Sequence, residues 1–305
     1  MGEPGPAAAN LPALSDDARR WTRWLAPLGS LALLVLSAHQ ALKLGPEQVK
    51  AAFAAPGFVA AILALYLVPP AADWLIFRRL WNLPARGIPV ILAKRIVNEL
   101  FVSYAGELYF YLWARRCLTN PVASFGAVKD VNILSAVAGA SFALVLLLPA
   151  LPHMSALGFG RFAPALAWSS LGMLGVSLTI FILARRLFTL SRPKVLEVLA
   201  IHLVRLAAGV GLCAWAWSLA LPQVPIGAWL ALSALRLLVA LVPVAPNREL
   251  LFAGLTGVVA ARGGDVAGIV ALTATTLAAL HLVAGLGVGA VLLVFPERAP
   301  LRSAP

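Results

Sequence analysis

Apolar residues run along the chain in blocks parted by short basic clusters. Blocks of about 20 are what a helix needs to cross roughly 30 Å of hydrocarbon. The pattern predicts spanning helices near 24–44, 57–77, 131–151, 162–184, 195–221, 226–244 and 266–295. Two segments break it: 88–112 carries too many charges, and 249–262 is too short to cross unaided. Both predict re-entrant or broken helices, because irregular backbone at membrane depth survives only against protein or a wet cavity. The expected fold is an all-α polytopic integral membrane helix bundle with about 7–9 membrane segments and a two-fold pseudo-repeat.

Composition and charge sharpen this picture. The chain is 61% hydrophobic and 12% charged, against about 25% charged in a soluble domain, which leaves no room for a sizeable soluble part. The net charge of +12 lies in clusters between apolar blocks rather than on one face, so it reads as topology and not as a nucleic-acid surface. Basic loops stay cytoplasmic. On that rule Arg19, Arg20 and Arg23 place the N-terminus inside, and Arg78, Arg79, Arg86, Arg115, Arg116, Lys129, Arg185, Arg186, Arg192 and Lys194 mark later loops on the same side. The opposite loops carry Lys43, Lys50 and Arg161. The alternation requires 88–112 to enter and leave from the cytoplasm, as a hairpin. At the C-terminal end, Arg298 and Arg302 argue for the inside, whereas a turning back at 249–262 argues for the outside.

The expected organisation is a disordered cytoplasmic tail over 1–20, one transmembrane domain over 21–298, and a short tail over 299–305. The first apolar block is longer than the core of a secretory signal, which predicts an uncleaved helix. Cys117 and Cys213 stand too far apart in sequence to suggest a disulfide framework or a thiolate metal site. Trp24, Trp74, Trp81, Trp113 and Trp229 fall near predicted helix ends, where indole rings favour the headgroup layer.

Ionisable residues at membrane depth carry the functional signal, since each costs about 2.5 kcal/mol or more at the bilayer centre unless it faces a partner or a polar cavity. In "RIVNELFVSYAGELYFYLWARR", residues 95–116, Arg95 and Glu99 share a helix face and could pair, although Glu before Arg is the better order. The "SYAG" stretch then permits a turn, and Glu107 opens a second arm where a helix N-terminus attracts negative charge. The competing reading is an interfacial amphipathic helix whose charges reach water. In "LVPVAPNRELLFAGLTG", residues 241–257, Pro243 and Pro246 end a helix, Asn247 is a good N-cap, and Arg248 and Glu249 open the next segment. Capping chemistry alone is the competing reading here. "NELF" at 98–101 and "NRELLF" at 247–252 echo one another in the two irregular segments.

His202 and Arg205 share a face, and Arg236 lies midway along the next helix. Either arginine suits bidentate contact with a phosphate, and pairing with a buried carboxylate such as Glu107 or Glu249 is an equal alternative. Asp73, close to Arg78 and Arg79 at a helix end, is expected to be solvated. His39, His153 and His281 lack zinc-site spacing, and neither a nucleophile elbow, a phosphate loop nor a dinucleotide fingerprint occurs. No metal or cofactor is expected.

Asn98, then Gly106 and Glu107 in "SYAGEL", and later Pro243, Arg248 and Glu249 in "VPVAPNREL", resemble the transmembrane flippase-like domain of the lysylphosphatidylglycerol synthases, the membrane part of the multiple peptide resistance factor proteins. The resemblance covers nearly all the chain after residue 20. The sequence departs from the family at Tyr104, Ala105, Pro246 and Asn247. It implies the translocating part alone, without the soluble aminoacyl-transfer domain, in a multi-pass protein of the bacterial inner membrane. The implied activity is movement of a phospholipid derivative or other polar-headed lipid between leaflets, downhill or ion-coupled. Arg95, Asn98, Glu99, Glu107, Arg248 and Glu249 would line the path, with Arg205 and Arg236 as phosphate contacts. Candidate partners are membrane lipids, a second copy of the chain, or a lipid-modifying enzyme. The alternatives are a membrane-embedded lipid-modifying enzyme using Glu107 and Glu249 as acid and base, or a scaffold for such an enzyme.

Overall fold

The computed structural model describes residues 45–100, 105–117, 121–150, 163–184, 188–240, 247–259 and 264–294, with isolated positions between 35 and 42 and at 160. The expected tails, most of the block at 24–44, and Tyr104, Pro243 and Pro246 lie outside them. The described residues form ten α-helices and no strand, so the all-α expectation holds. They are α1 (Pro46–Ala54), α2 (Pro56–Trp81), α3 (Ile88–Leu100), α4 (Ala105–Cys117), α5 (Pro121–Ala150), α6 (Ala163–Ala184), α7 (Arg192–Ala220), α8 (Ile226–Ala240), α9 (Arg248–Val259) and α10 (Gly264–Val294).

Four stretches are long and apolar enough to cross a bilayer: Pro56–Trp81, Phe125–Leu147, Arg192–Ala220 and Gly264–Leu292. Outward-facing Trp168, Val204, Val283 and Leu286 leave large apolar surfaces exposed, which in a membrane is the surface that lipid covers. The predicted block at 162–184 coincides with α6, whose side chains are described only in part. The one at 226–244 begins as α8, a 15-residue helix whose middle is buried between α5, α7 and α9.

Trp229 accordingly departs from its expected place. It is fully buried, with its ring 5.6 Å from that of Trp217, because it lies on the face of α8 turned toward α7, although Ile226 at the start of the helix is exposed. Phe58, Trp217, Trp229 and Phe252 mark one apolar core, built from α2, α7, α8, α9 and α10. A second core gathers Phe77, Ile91, Phe110, Leu134 and Val198 where α2, α3, α4, α5 and α7 meet.

The segment 88–112 is two helices. α3 and α4 have 13 residues each, about 20 Å at 1.5 Å per residue and so too short to span. They pack against each other, and α3 also packs on α10. Asn98 Oδ1 on α3 accepts a hydrogen bond from the Gly106 N–H on α4 at 2.7 Å, satisfying one of the amides that a helix start leaves without a partner. A side chain at Gly106 would collide with the Lys94 carbonyl and come within 2.8 Å of Asn98 Oδ1, so the close approach of α3 and α4 requires glycine.

Several basic clusters expected on one side of the membrane meet at one end of the bundle. Arg79 pairs with Glu197 at 3.2 Å, and Lys194 donates to the Arg79 carbonyl at 3.2 Å, joining the end of α2 to the start of α7. Nearby, the fully buried Asp130 of α5 accepts hydrogen bonds from the Thr189 N–H, the Thr189 hydroxyl and the Leu190 N–H at 2.6, 2.8 and 2.9 Å. Lys129 pairs with the same carboxylate at 3.3 Å. One acidic side chain on an apolar helix thus fixes the approach to α7.

Candidate functional site: a charged cavity between the two cores

All eight residues singled out in the sequence line one cavity of about 290 Å³ inside the apolar bundle. α3 supplies Arg95, Asn98 and Glu99, and the first turn of α4 supplies Glu107. Arg205 comes from α7 and Arg236 from α8, while Arg248 and Glu249 open α9. Asn247 takes a positive φ of 40° and accepts a hydrogen bond from the Leu250 N–H at 3.1 Å, so it caps α9 as expected. The two irregular segments, far apart in sequence, therefore bring their first-turn carboxylates to the same space.

Two ion-paired groups shape the wall. In the first, Lys94 of α3 binds Asp73 of α2 at 2.7 Å and faces Glu107 at 3.7 Å. Its ammonium also lies 5.8 Å from the ring centres of both Phe77 and Phe110, and Lys94 is only 5% exposed. Such a charge is tolerated in an apolar bundle because carboxylates and ring faces surround it. Asp73 is thereby corrected: it turns inward to Lys94. The neighbouring arginines are engaged elsewhere, Arg78 over the Trp74 ring at 4.9 Å and Arg79 with Glu197.

In the second group Arg236 grips Glu249 with two hydrogen bonds, from Nε to Oε2 at 2.7 Å and from a terminal nitrogen to Oε1. Of the two readings open for Arg236, carboxylate pairing is the one this geometry has. The fork ties α8 to the start of α9.

Arg95 and Glu99 both face the cavity without an ion pair between them. Arg95 instead lies 5.9 Å from the Tyr66 ring centre. Arg205 donates one hydrogen bond, to the Ser135 hydroxyl at 3.0 Å. The Nε atoms of Arg95 and Arg205, and one oxygen each of Glu99 and Glu107, have no hydrogen-bond partner among the described residues.

Lys94, Asn132 and Ser135 escaped the sequence reading, as did Pro69 and Pro70, which stand in the interior of α2 and line the cavity. Each had a helical-spacing signal. Lys94 precedes Asn98 by four, as Arg95 precedes Glu99, so two adjacent polar rows share one face of α3. Leu65, Pro69 and Asp73 likewise fall at intervals of four on α2. Proline donates no backbone hydrogen bond, so the carbonyls of Leu65 and Tyr66 lose their partners one turn back. That adds backbone acceptors on the cavity side of α2.

Comparison with known proteins found no matching family model, no matching curated protein and no matching solved structure.

Proposed function

We propose that the chain is a bacterial inner-membrane protein that moves a polar-headed lipid between leaflets. In this reading the headgroup passes through the charged cavity while the acyl tails stay in the bilayer. The observation that carries it is the meeting of Glu107 and Glu249, each in the first turn of a helix too short to span, on the wall of one polar cavity within an apolar bundle. Discontinuous helices that converge on a site between two halves are a recurrent way of building a translocation path. The reading takes α3 and α4 as a re-entrant hairpin with cytoplasmic ends, α9 as its counterpart, and the N-terminus as cytoplasmic. It also keeps the likeness to the flippase-like domain of the lysylphosphatidylglycerol synthases as its nearest functional analogy. The cavity of about 290 Å³ lies at the small end of ligand pockets, which suits a headgroup and not a whole lipid.

The test is leaflet exchange in liposomes that contain the purified chain and lipids fluorescently labelled on the headgroup, with the outer leaflet bleached chemically. Exchange well above that of protein-free vesicles is expected. Glu107→Gln and Glu249→Gln should lower it about tenfold per folded molecule, the effect of roughly 1.4 kcal/mol on a barrier. Exchange at the protein-free rate would sink the proposal, and chemical conversion of the lipid would move the protein to the enzymes.

A further inference from the structure

The ion pairs on the cavity wall distribute the charges unevenly. Five cations face the cavity (Lys94, Arg95, Arg205, Arg236 and Arg248) against four carboxylates (Asp73, Glu99, Glu107 and Glu249). Lys94 and Arg236 between them engage Asp73, Glu107 and Glu249. Glu99 remains, with one oxygen that accepts no hydrogen bond among the described residues. Among the described residues, Arg95 and Arg205 therefore present to the cavity guanidinium groups that no carboxylate meets at ion-pair distance, although Glu99 attracts Arg95 and Asp73 attracts Arg205 from farther off.

Holding a guanidinium without a close ion pair among apolar helices is costly. An arrangement of this kind is favourable when a third, anionic group completes it. Guanidinium is the side chain best matched to a phosphate, because its planar fork of N–H donors meets two phosphate oxygens at once. Arg205 is held in place by Ser135 from α5 and keeps its Nε for a further acceptor. Arg95 keeps its Nε likewise, with its guanidinium carbon 5.9 Å from the Tyr66 ring centre.

Resting on the translocation reading, we infer that Arg95 and Arg205 form a phosphate-binding subsite in the cavity, with Arg236 serving as a structural strut between α8 and α9. The ligand class is a phosphate ester, and the same chemistry would accept free inorganic phosphate. This assignment separates two arginines that the sequence grouped together. Arg205 meets the ligand, and Arg236 fixes Glu249.

Calorimetric titration of the full chain in an uncharged maltoside detergent tests the subsite. The probes are inorganic phosphate, dihexanoylphosphatidylglycerol and, as an uncharged control, dihexanoylglycerol. The phosphatidyl lipid should bind, and Arg95→Gln and Arg205→Gln should each weaken it about tenfold or more, as expected for loss of a charge-assisted contact. Arg205→Lys should bind with intermediate affinity and guards against a variant that fails to fold, while Arg78→Gln, outside the cavity, should match the original chain. Binding of phosphate and lipid alike, both weakened in the variants, assigns the shared phosphate chemistry, and binding of phosphate alone keeps the subsite but assigns it to the free anion. Failure of both probes to bind, or unchanged affinity in all the cavity variants, overturns it. A chain that binds the lipid through Arg205 yet gives no leaflet exchange retains the subsite and loses the translocation reading. A chain that exchanges lipid with unaltered rate and affinity after Arg205→Gln does the opposite.

Discussion

Arg236 on α8 and Glu249 on α9 are joined by a two-pronged hydrogen bond across the residues that separate the two helices. The pair stands on the cavity wall with both side chains largely withdrawn from solvent. It settles how the start of a 12-residue helix is held in an apolar bundle.

Removing one partner from this pair leaves a buried charge unmatched. Arg236→Gln or Glu249→Gln alone should lower stability by about 3–5 kcal/mol. The double variant should cost clearly less than the two singles together, since neighbours in one network are not additive. Unfolding in detergent by chemical denaturant measures all three, and strict additivity would show that the fork contributes no coupling.

Gly106 offers a second test. Gly106→Ala should force α3 and α4 apart and destabilise the chain by about 1–3 kcal/mol, the range of an overpacked site. Gly172→Ala on α6, where an added methyl meets nothing within 4 Å, is the matched control. Equal melting temperatures for the two variants would contradict the close approach at Asn98 and Gly106.

Lys94 holds two carboxylates from different helices. Lys94→Met should therefore destabilise the chain by about 3–5 kcal/mol by leaving Asp73 and Glu107 facing one another in a poorly solvated place. Adding Asp73→Asn should recover part of that loss. A double variant no more stable than Lys94→Met would remove Asp73 from the partnership.

Asp130→Ala leaves the Thr189 and Leu190 amides without their acceptor. Hydrogen exchange read by mass spectrometry should show the peptide around these residues exchanging at least about tenfold faster, as expected when bonds to a charged acceptor worth roughly 1.5–3 kcal/mol each are lost. Protection equal to that of the original chain would mean that another group holds the entrance to α7.

Water access is checked by cysteine labelling. In a background with Cys117→Ser and Cys213→Ala, Asn132→Cys on the cavity wall should react with a membrane-impermeant maleimide, whereas Ala143→Cys on the same helix, fully buried, should stay unlabelled. Equal labelling at the two positions would contradict a wet cavity.

The candidate site was legible to an unusual degree, for a physical reason. In a chain this apolar a charged residue is conspicuous, so Arg95, Glu99, Glu107, Arg205, Arg236 and Glu249 could be marked as belonging together before any contact was known. Lys94 is masked in the sequence by its neighbour Arg95, and Asp73 reads as solvated from its nearness to Arg78 and Arg79. Sequence distance to Arg78 and Arg79 says nothing about which way each side chain points around α2. Trp229 differs for the same reason: it lies close to the exposed start of α8 but on the face turned toward Trp217.

Hydrophobic block length by itself determined that the described chain is helical and that several of its helices suit a bilayer, since a span needs a fixed number of apolar residues whatever it packs against. Local sequence also placed Asn247 as a cap and Glu107 and Glu249 in first turns, because capping and dipole effects act within one helical turn. Partner choice is different in kind. That Lys94 takes Asp73 and Glu107, that Arg236 takes Glu249, and that Arg95 and Arg205 are left facing the cavity depends on which helices are neighbours and how each is rotated. Those are properties of the packed bundle, and only the tertiary structure decided them.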